Sequence, residues 1–221
     1  MPETYHYHYG VKKKEIFNRI KESMATYIDT VWDKRVSNLP FTTKEEALTL
    51  ASIVERETSI PSEYPEVASV YINRLKIDMK LQADPTVIYA VSNGTAVLNR
   101  LLTLADLKID NPYNTYVNKG LPPSPICNPG KKAIDAVLNP AETEYLFFVA
   151  DGTGGHVFTK NYKDHSKKVS EWRKINKKYR ASKKNSSKEP TINKNKKSTV
   201  KSNKKNVIIK DEKINKVEVK K

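Results

Sequence analysis

Apolar residues recur along the first third of this chain at the spacing of helix faces. From Lys12 to about Lys34, Ile16, Ile20, Met24, Tyr27, Ile28 and Val31 fall on one side of a helix, and the pattern stops before Asn38-Leu39-Pro40. Thr43 followed three residues later by Glu46 is a capping-box signature, after which Ala47, Leu48, Leu50, Ala51, Ile53 and Val54 carry a second helix toward Thr58. A third helix follows Pro61 to Pro65, with Val67, Val70, Tyr71 and Leu75 on one face. Met1 to Gly10 is aromatic and polar without either period, and reads as an entry segment.

Beyond Met79 the pattern breaks into polar, proline-containing stretches: Leu81 to Thr86, Asp110 to Tyr116, Leu121 to Pro125 and Asn128 to Gly130. Short helices are expected at Thr86 to Val91, Thr103 to Lys108 and Lys131 to Leu138, the last bounded by Pro-Gly and Asn-Pro. Tyr145 to Ala150 is a continuous apolar run of strand length, and the glycine-rich Asp151 to Gly155 turns it into His156 to Thr159, which predicts a hairpin. A last helix is expected from about Asn161 to Tyr179, with Tyr162, His165, Val169, Trp172 and Ile175 on its apolar face and Trp172 as its anchor. Strands do not alternate with helices and no repeat is visible, so the fold class is α+β. The expectation is a helix-rich domain with a small hairpin and long ordered polar loops.

Composition divides the 221 residues in two. From Ala181 to Lys221 there is no aromatic residue, and 14 Lys face 4 acids, which places ten of the formal fifteen net positive charges in that stretch. Such a segment cannot bury enough apolar surface to offset its ordering entropy. The expected division is therefore a domain over 1–180 and a disordered Lys-rich tail over 181–221. The remaining charge excess on the domain is too small to mark a dedicated nucleic-acid face, while the tail can attract any polyanion nonspecifically or be an unselected extension. One cysteine, Cys127, excludes an internal disulfide. No window of 18 apolar residues and no secretory signal is present, so the chain as it stands reads as soluble and unexported.

The chemistry concentrates at the end of the second helix, Ile53-Val54-Glu55-Arg56-Glu57-Thr58. A carboxyl on the flank of an apolar stripe is partly desolvated, which favours its protonated form and suits it to deliver a proton near neutral pH. At about 100° per residue, Glu55 and Glu57 point roughly 200° apart, so they cannot form the close carboxylate pair of a retaining glycosidase. At most one of them faces a cleft, and projection alone does not choose. The other reading of the pair is a solvated helix end paired to lysines. Cys127 sits between Pro125 and Pro129 without a helix to lower its pKa, which argues against a thiol nucleophile working with His156. The histidines His6, His8, His156 and His165 are scattered, without metal-ligand spacing, and no cofactor is expected.

Four motifs in order, ASIVERET, VASVYINRLKIDMKLQADPTVIYAV, YNTYVNKGLPPSPICNPG and YLFFVADGTGGHVFTKNYKDH, resemble the YceG-like, MltG-type endolytic peptidoglycan transglycosylases over roughly Pro2 to Trp172. The resemblance implies cleavage of the β-1,4 bond between N-acetylmuramic acid and N-acetylglucosamine within a glycan strand, leaving a 1,6-anhydromuramyl end. It assigns the catalytic role to Glu57 and a supporting one to Glu55. One acid suffices for this reaction, because the muramyl C6 hydroxyl is the nucleophile and the same glutamate protonates the leaving oxygen and then takes the hydroxyl proton. The resemblance further implies a substrate-binding set of Asn73, Arg74, Gln82, Asp84, Thr86, Tyr89, Tyr113, Asn114, Tyr116 and His156. Amides and carboxylates in it suit sugar hydroxyls and acetamido groups, and tyrosine faces suit sugar rings.

Each of these residues also has a plain structural reading: Asp84 as a turn and helix cap, Asn73 as a local cap, His156 as the end of the hairpin and the tyrosines as core. Implied partners are peptidoglycan glycan strands and the wall-synthesis machinery, with placement at the periplasmic face of the inner membrane. Three features depart from the family pattern. The transmembrane and LysM-like parts that usually precede this region are not found in these residues, and the expectation is that the sequence opens where the catalytic part does; Ser124 stands where glycine is common; and the Lys-rich tail is additional. A lysozyme-like hydrolase and a noncatalytic basic protein acting through the tail are the competing readings.

Overall fold

The computed structural model describes residues 1–186, and side chains through 177. Six helices and one hairpin make up the described part: α1 (Lys13–Trp32), α2 (Lys44–Glu57), α3 (Tyr64–Lys76), α4 (Asp84–Val91), α5 (Lys131–Leu138), β1 (Phe147–Ala150), β2 (His156–Thr159) and α6 (Tyr162–Ser186). This is the helix-rich α+β architecture expected from the sequence. Short 3-10 turns at Pro61–Glu63 and Asp106–Lys108 complete it. Among the described residues no helix is long and apolar enough to cross a membrane.

The core lies where α2, α3 and α5 meet. Leu50, Ala51, Ile53 and Val54 of α2 pack with Val67, Ala68 and Tyr71 of α3 and with Ala133, Ile134, Val137 and Leu138 of α5, all almost fully excluded from water. The start of α2 is set by its capping box: the Thr43 hydroxyl accepts from the Glu46 amide at 3.2 Å, and Glu46 accepts from the Thr43 amide at 3.0 Å. Such a cap stabilises a helix by about 1 kcal/mol. It also fixes where the helix ends, because fourteen residues of regular helix then bring Glu57 to its last position.

Several boundaries differ from the sequence expectation, three of them for a local reason. Helix α4 begins at Asp84 rather than Thr86, since Pro85 fits the first turn, where a missing amide hydrogen costs nothing. The helix expected over 103–108 contracts to one 3-10 turn, because Asp106 Oδ2 is taken by the Thr103 amide at 2.7 Å and by Arg100 at 2.6 Å. Strand β1 opens at Phe147 rather than Tyr145, with the Thr143 and Tyr145 carbonyls drawn to Asn73 and the Leu146 carbonyl to Arg74. Helix α6 runs on to Ser186, past the expected end at Tyr179. The disorder expected of 181–221 concerns, from residue 187 onward, positions outside the described residues.

The hairpin pairs Phe147 with Thr159, Phe148 with Phe158, Val149 with Val157 and Ala150 with His156. Its turn needs glycine at Gly152 and Gly154, whose φ values are +89° and +111°. Helix α6 covers both strands. His165 stacks on Phe147 at 5.1 Å, Tyr162 meets the same ring edge-on at 6.0 Å, and Ile175 lies against Gly152 so closely that a Cβ there would sit 2.8 Å from its Cγ2. The expected anchor Trp172 is half-buried on this helix. Between α4 and α5 the long polar segment is held by a second small cluster of Val87, Leu102 and Leu107 and by the fully buried Asn114, so these loops are ordered parts of the fold.

Candidate active site

Glu57 ends α2 and is buried, with 6% of its surface exposed. Its Oε1 accepts a 2.7 Å hydrogen bond from the Tyr71 hydroxyl of α3. Burial, and next the charge of Glu57, hold the Tyr71 phenol well above its ordinary pKa, so it stays protonated and serves as a permanent donor. One helical turn further along α3, Arg74 is buried beside them. Its Nε donates to the Leu146 carbonyl and its Nη1 to the Leu81 carbonyl, both at 2.7 Å, and its guanidinium lies 5.3 Å from the Phe147 ring centroid. Burial lowers the Arg74 pKa against the opposing pull of Tyr71, Glu57 and Tyr116. The guanidinium nevertheless remains a cation at any physiological pH.

Tyr116 and Asp84 extend this group. The Tyr116 hydroxyl donates to Asp84 Oδ1 at 2.5 Å, and the phenol is pushed far above its usual value by burial, by Asp84 and by Glu57. Two carboxylates, two phenols and one guanidinium therefore share a single low-dielectric neighbourhood. Burial works against a charged carboxyl, while Arg74 and the Tyr71 hydroxyl work for it, and a carboxyl under opposed influences of this kind is suited to exchanging a proton.

Glu55 is placed elsewhere, as its projection requires. Its Oε2 accepts from the Gly130 amide at 3.0 Å, at the start of α5, and its charge adds to burial, the larger cause, in raising the pKa values of Tyr64 and Cys127. The Cys127 thiol is pushed up to about 11, by burial first and by Glu55 next, and its Sγ lies 3.3 Å from the Ser52 carbonyl. A thiol held protonated in this way is no nucleophile at neutral pH.

The remaining residues named from the sequence separate into two groups. Asn73 donates to the Thr143 and Tyr145 carbonyls at 2.8 and 3.0 Å. Thr86 is fully buried and bonds Ala83 and Thr115, and Asn114 bonds Leu107, Ile109 and Tyr116. These three bind the framework together. Gln82 is exposed at the mouth of α4, with φ +48° and its amide on the Thr115 carbonyl. Tyr89 and Tyr113 are half-buried and lie against one another with ring centroids 4.7 Å apart, the Tyr113 hydroxyl bonding Ser124 at 2.6 Å.

His156 binds Glu63 twice. Its amide donates to Oε1 at 2.8 Å, and its Nδ1 lies 2.7 Å from Oε2, which also accepts from the Thr58 hydroxyl at 2.9 Å. Burial alone would raise the Glu63 pKa; the bonds from the His156 ring, the His156 amide and Thr58 outweigh it and hold the carboxyl below its ordinary value of 4.5. A depressed folded-state value means that the unfolded chain takes up the proton first. The stabilisation is therefore complete above the ordinary value and is lost as the pH falls through the depressed one. Melting temperatures of the native chain and of Glu63→Gln should differ most near neutrality and converge as the pH falls below the ordinary value of 4.5 through the depressed one. A gap independent of pH would refute this linkage.

Tyr71, Glu63 and Thr58 were not singled out from sequence as site residues. In the sequence Tyr71 belongs to an apolar helix face, yet a phenol on such a face needs an acceptor, and Glu57 at the end of the preceding helix is the nearby candidate. Glu63 lies in the proline-bounded connection, where nothing local marks it.

The profile of the YceG-like family matches residues 1–171. Over 154 residues the chain is 40% identical to an endolytic murein transglycosylase of Bacillus subtilis strain 168, a match covering 70% of this chain and 41% of that protein. Over 163 residues it is 34% identical to an endolytic murein transglycosylase of Streptococcus pneumoniae strain D39, covering 71% and 28% respectively. The crystal structure of a YceG-like protein from Listeria monocytogenes is similar with a TM-score of 0.64 at 36% identity, covering 76% of this chain and 53% of that one. The chain thus spans less than half the length of these two enzymes.

Proposed function

The chain belongs to the YceG-like family, and from that membership we propose that it carries the catalytic part of an endolytic peptidoglycan transglycosylase, a lyase acting on glycan strands. The observation behind this reading is the buried Glu57, gripped by Tyr71 with Arg74 and Tyr116 beside it. Glu57 gives its proton to the bridging oxygen as the bond from muramyl C1 to that oxygen breaks. The muramyl C6 hydroxyl then bonds to C1, and its proton returns to Glu57. Atoms balance without water, and the acid ends as it began. A hydroxyl held on the reacting sugar itself brings the advantage of proximity, worth several kcal/mol of barrier.

In this reading Tyr71 holds the carboxyl in one orientation, and Arg74 and Asp84 set the field around it. Gln82, Tyr89 and Tyr113 take the role of substrate contacts, and Asn73, Thr86 and Asn114 that of the framework they bond. Glu55 supports the loop at α5, and His156 supports the hairpin. The extracytoplasmic membrane face as location and the wall-synthesis machinery as company belong to the same proposal.

Uncrosslinked glycan strands incubated with the chain should yield anhydromuramyl ends by mass spectrometry. Ends heavier by one water would replace the lyase with a lysozyme-like hydrolase.

A further inference from the structure

One carboxylate outside the reacting group reaches Glu57 by two separate routes. The first runs along the chain. Glu57 is the last residue of α2, and Thr58 after it turns to extended backbone, φ −136° and ψ 146°. The Thr58 hydroxyl accepts from the Ile60 amide at 3.1 Å and donates to Glu63 Oε2 at 2.9 Å, so the terminal turn that carries Glu57 is fastened directly behind it.

The second route crosses the fold. The same Glu63 carboxylate holds His156 of β2 through its amide and Nδ1 at 2.8 and 2.7 Å. Gly155 makes this possible, because a Cβ there would stand 2.9 Å from Glu63 Oε1. The His156 ring meets Phe148 of β1 edge-on at 5.5 Å, and Phe148 meets Tyr71 edge-on at 6.0 Å. Tyr71 in turn donates to Glu57 Oε1. Side chains of a helix end and of a two-stranded hairpin are otherwise weakly fixed elements, and misplacement of a reacting group by about 1 Å can cost 10²-fold in rate.

We infer that Glu63 is a positioning residue for Glu57, tying the turn behind that acid to the hairpin that backs its hydroxyl donor. The inference rests on the proposed function for its kinetic readout but not for its structural one. It makes the connection between α2 and α3 part of the catalytic apparatus, and it gives His156 a role at one remove from the substrate.

The test measures cleavage of uncrosslinked glycan strands by Glu63→Gln, His156→Asn and the double variant Glu57→Gln with Glu63→Gln, with thermal melts alongside. Glu63→Gln should lower kcat by about 10- to 100-fold with KM within about twofold of the native value. His156→Asn, which leaves the Thr58 bond intact, should lose less. In the double variant the Glu63 change should have no further effect, since a positioning residue has nothing left to position. Native kcat in a folded Glu63→Gln chain, or a full multiplicative loss in the double variant, would overturn the inference.

A second measurement needs no activity. The 13C shift of the Glu57 side-chain carboxyl, followed against pH, should titrate at a displaced midpoint in Thr58→Val, which cuts the tie between Glu63 and the turn behind Glu57 without removing a charge, and identical curves would overturn the positioning role. If the native chain cuts no strand while the midpoint moves, the proposed function falls and the positioning of Glu57 stands.

Discussion

Glu57→Gln should abolish strand cleavage to on the order of 10⁻³ of the native rate or below, while the chain still folds. A positioned acid or base contributes about 10²- to 10⁴-fold, and here one group serves both proton transfers. A loss of 10³ corresponds to about 4 kcal/mol of transition-state stabilisation. The glutamine is nearly isosteric, and its amide oxygen still accepts from the Tyr71 hydroxyl that now lies 2.7 Å from Oε1. The melting temperature should therefore move by no more than a few degrees, which separates lost chemistry from lost fold. Chromatography of the glycan products with a parallel thermal melt measures both. Glu55→Gln is the internal control, since its carboxylate is engaged by the Gly130 amide at 3.0 Å on the α5 side. Full activity in Glu57→Gln would remove Glu57 from the catalytic role and end the mechanism proposed above.

Most of the scaffold was legible because it depends on short-range pattern. The capping box at Thr43 and Glu46 and the helical spacing of Ile16 through Val31 set α1 and α2 by local rules. The apolar run with a glycine turn set the hairpin in the same way. Glu55 and Glu57 stood out together as acids at the end of an apolar helix, and their separation of roughly 200° already required them to face different neighbours, but the choice of Glu57 came from the family resemblance and not from the helix pattern. What could not be read is what depends on contacts between distant segments. Asn73 and Arg74 lie about seventy positions before the carbonyls they bond at 143–146, and nothing near either partner announces the pairing. The Glu63 bonds to His156 span 93 positions. The same limitation explains why Asn114 and Thr86, which the resemblance named as substrate-binding, gave no sign in the sequence that backbone groups of their own fold engage them in the interior.

Arg74→Met should cost about 3–5 kcal/mol of stability, because two hydrogen bonds from a buried cation to backbone carbonyls are lost. The guanidinium is the donor for two carbonyls in different segments: Leu81, just before α4, and Leu146, just before β1. Methionine fills part of the volume but leaves both oxygens without that donor, and hydrogen bonds from charged groups contribute about 1.5–3 kcal/mol each. It also removes the cation from beside Glu57 and Tyr71. At roughly 2–4 °C per kcal/mol for a domain of this size, the melting temperature should fall by about 10 °C. Arg74→Lys is the discriminating companion. An ammonium keeps the positive charge but cannot present the planar fork that meets two carbonyls from one side chain. If the fork matters, Arg74→Lys should lose more than half of the stability lost by Arg74→Met. If only the charge matters, Arg74→Lys should melt near the native temperature. A native melting temperature for Arg74→Met would mean that neither carbonyl depends on this residue, and the link it makes between α3, the approach to α4 and the hairpin would have to be abandoned.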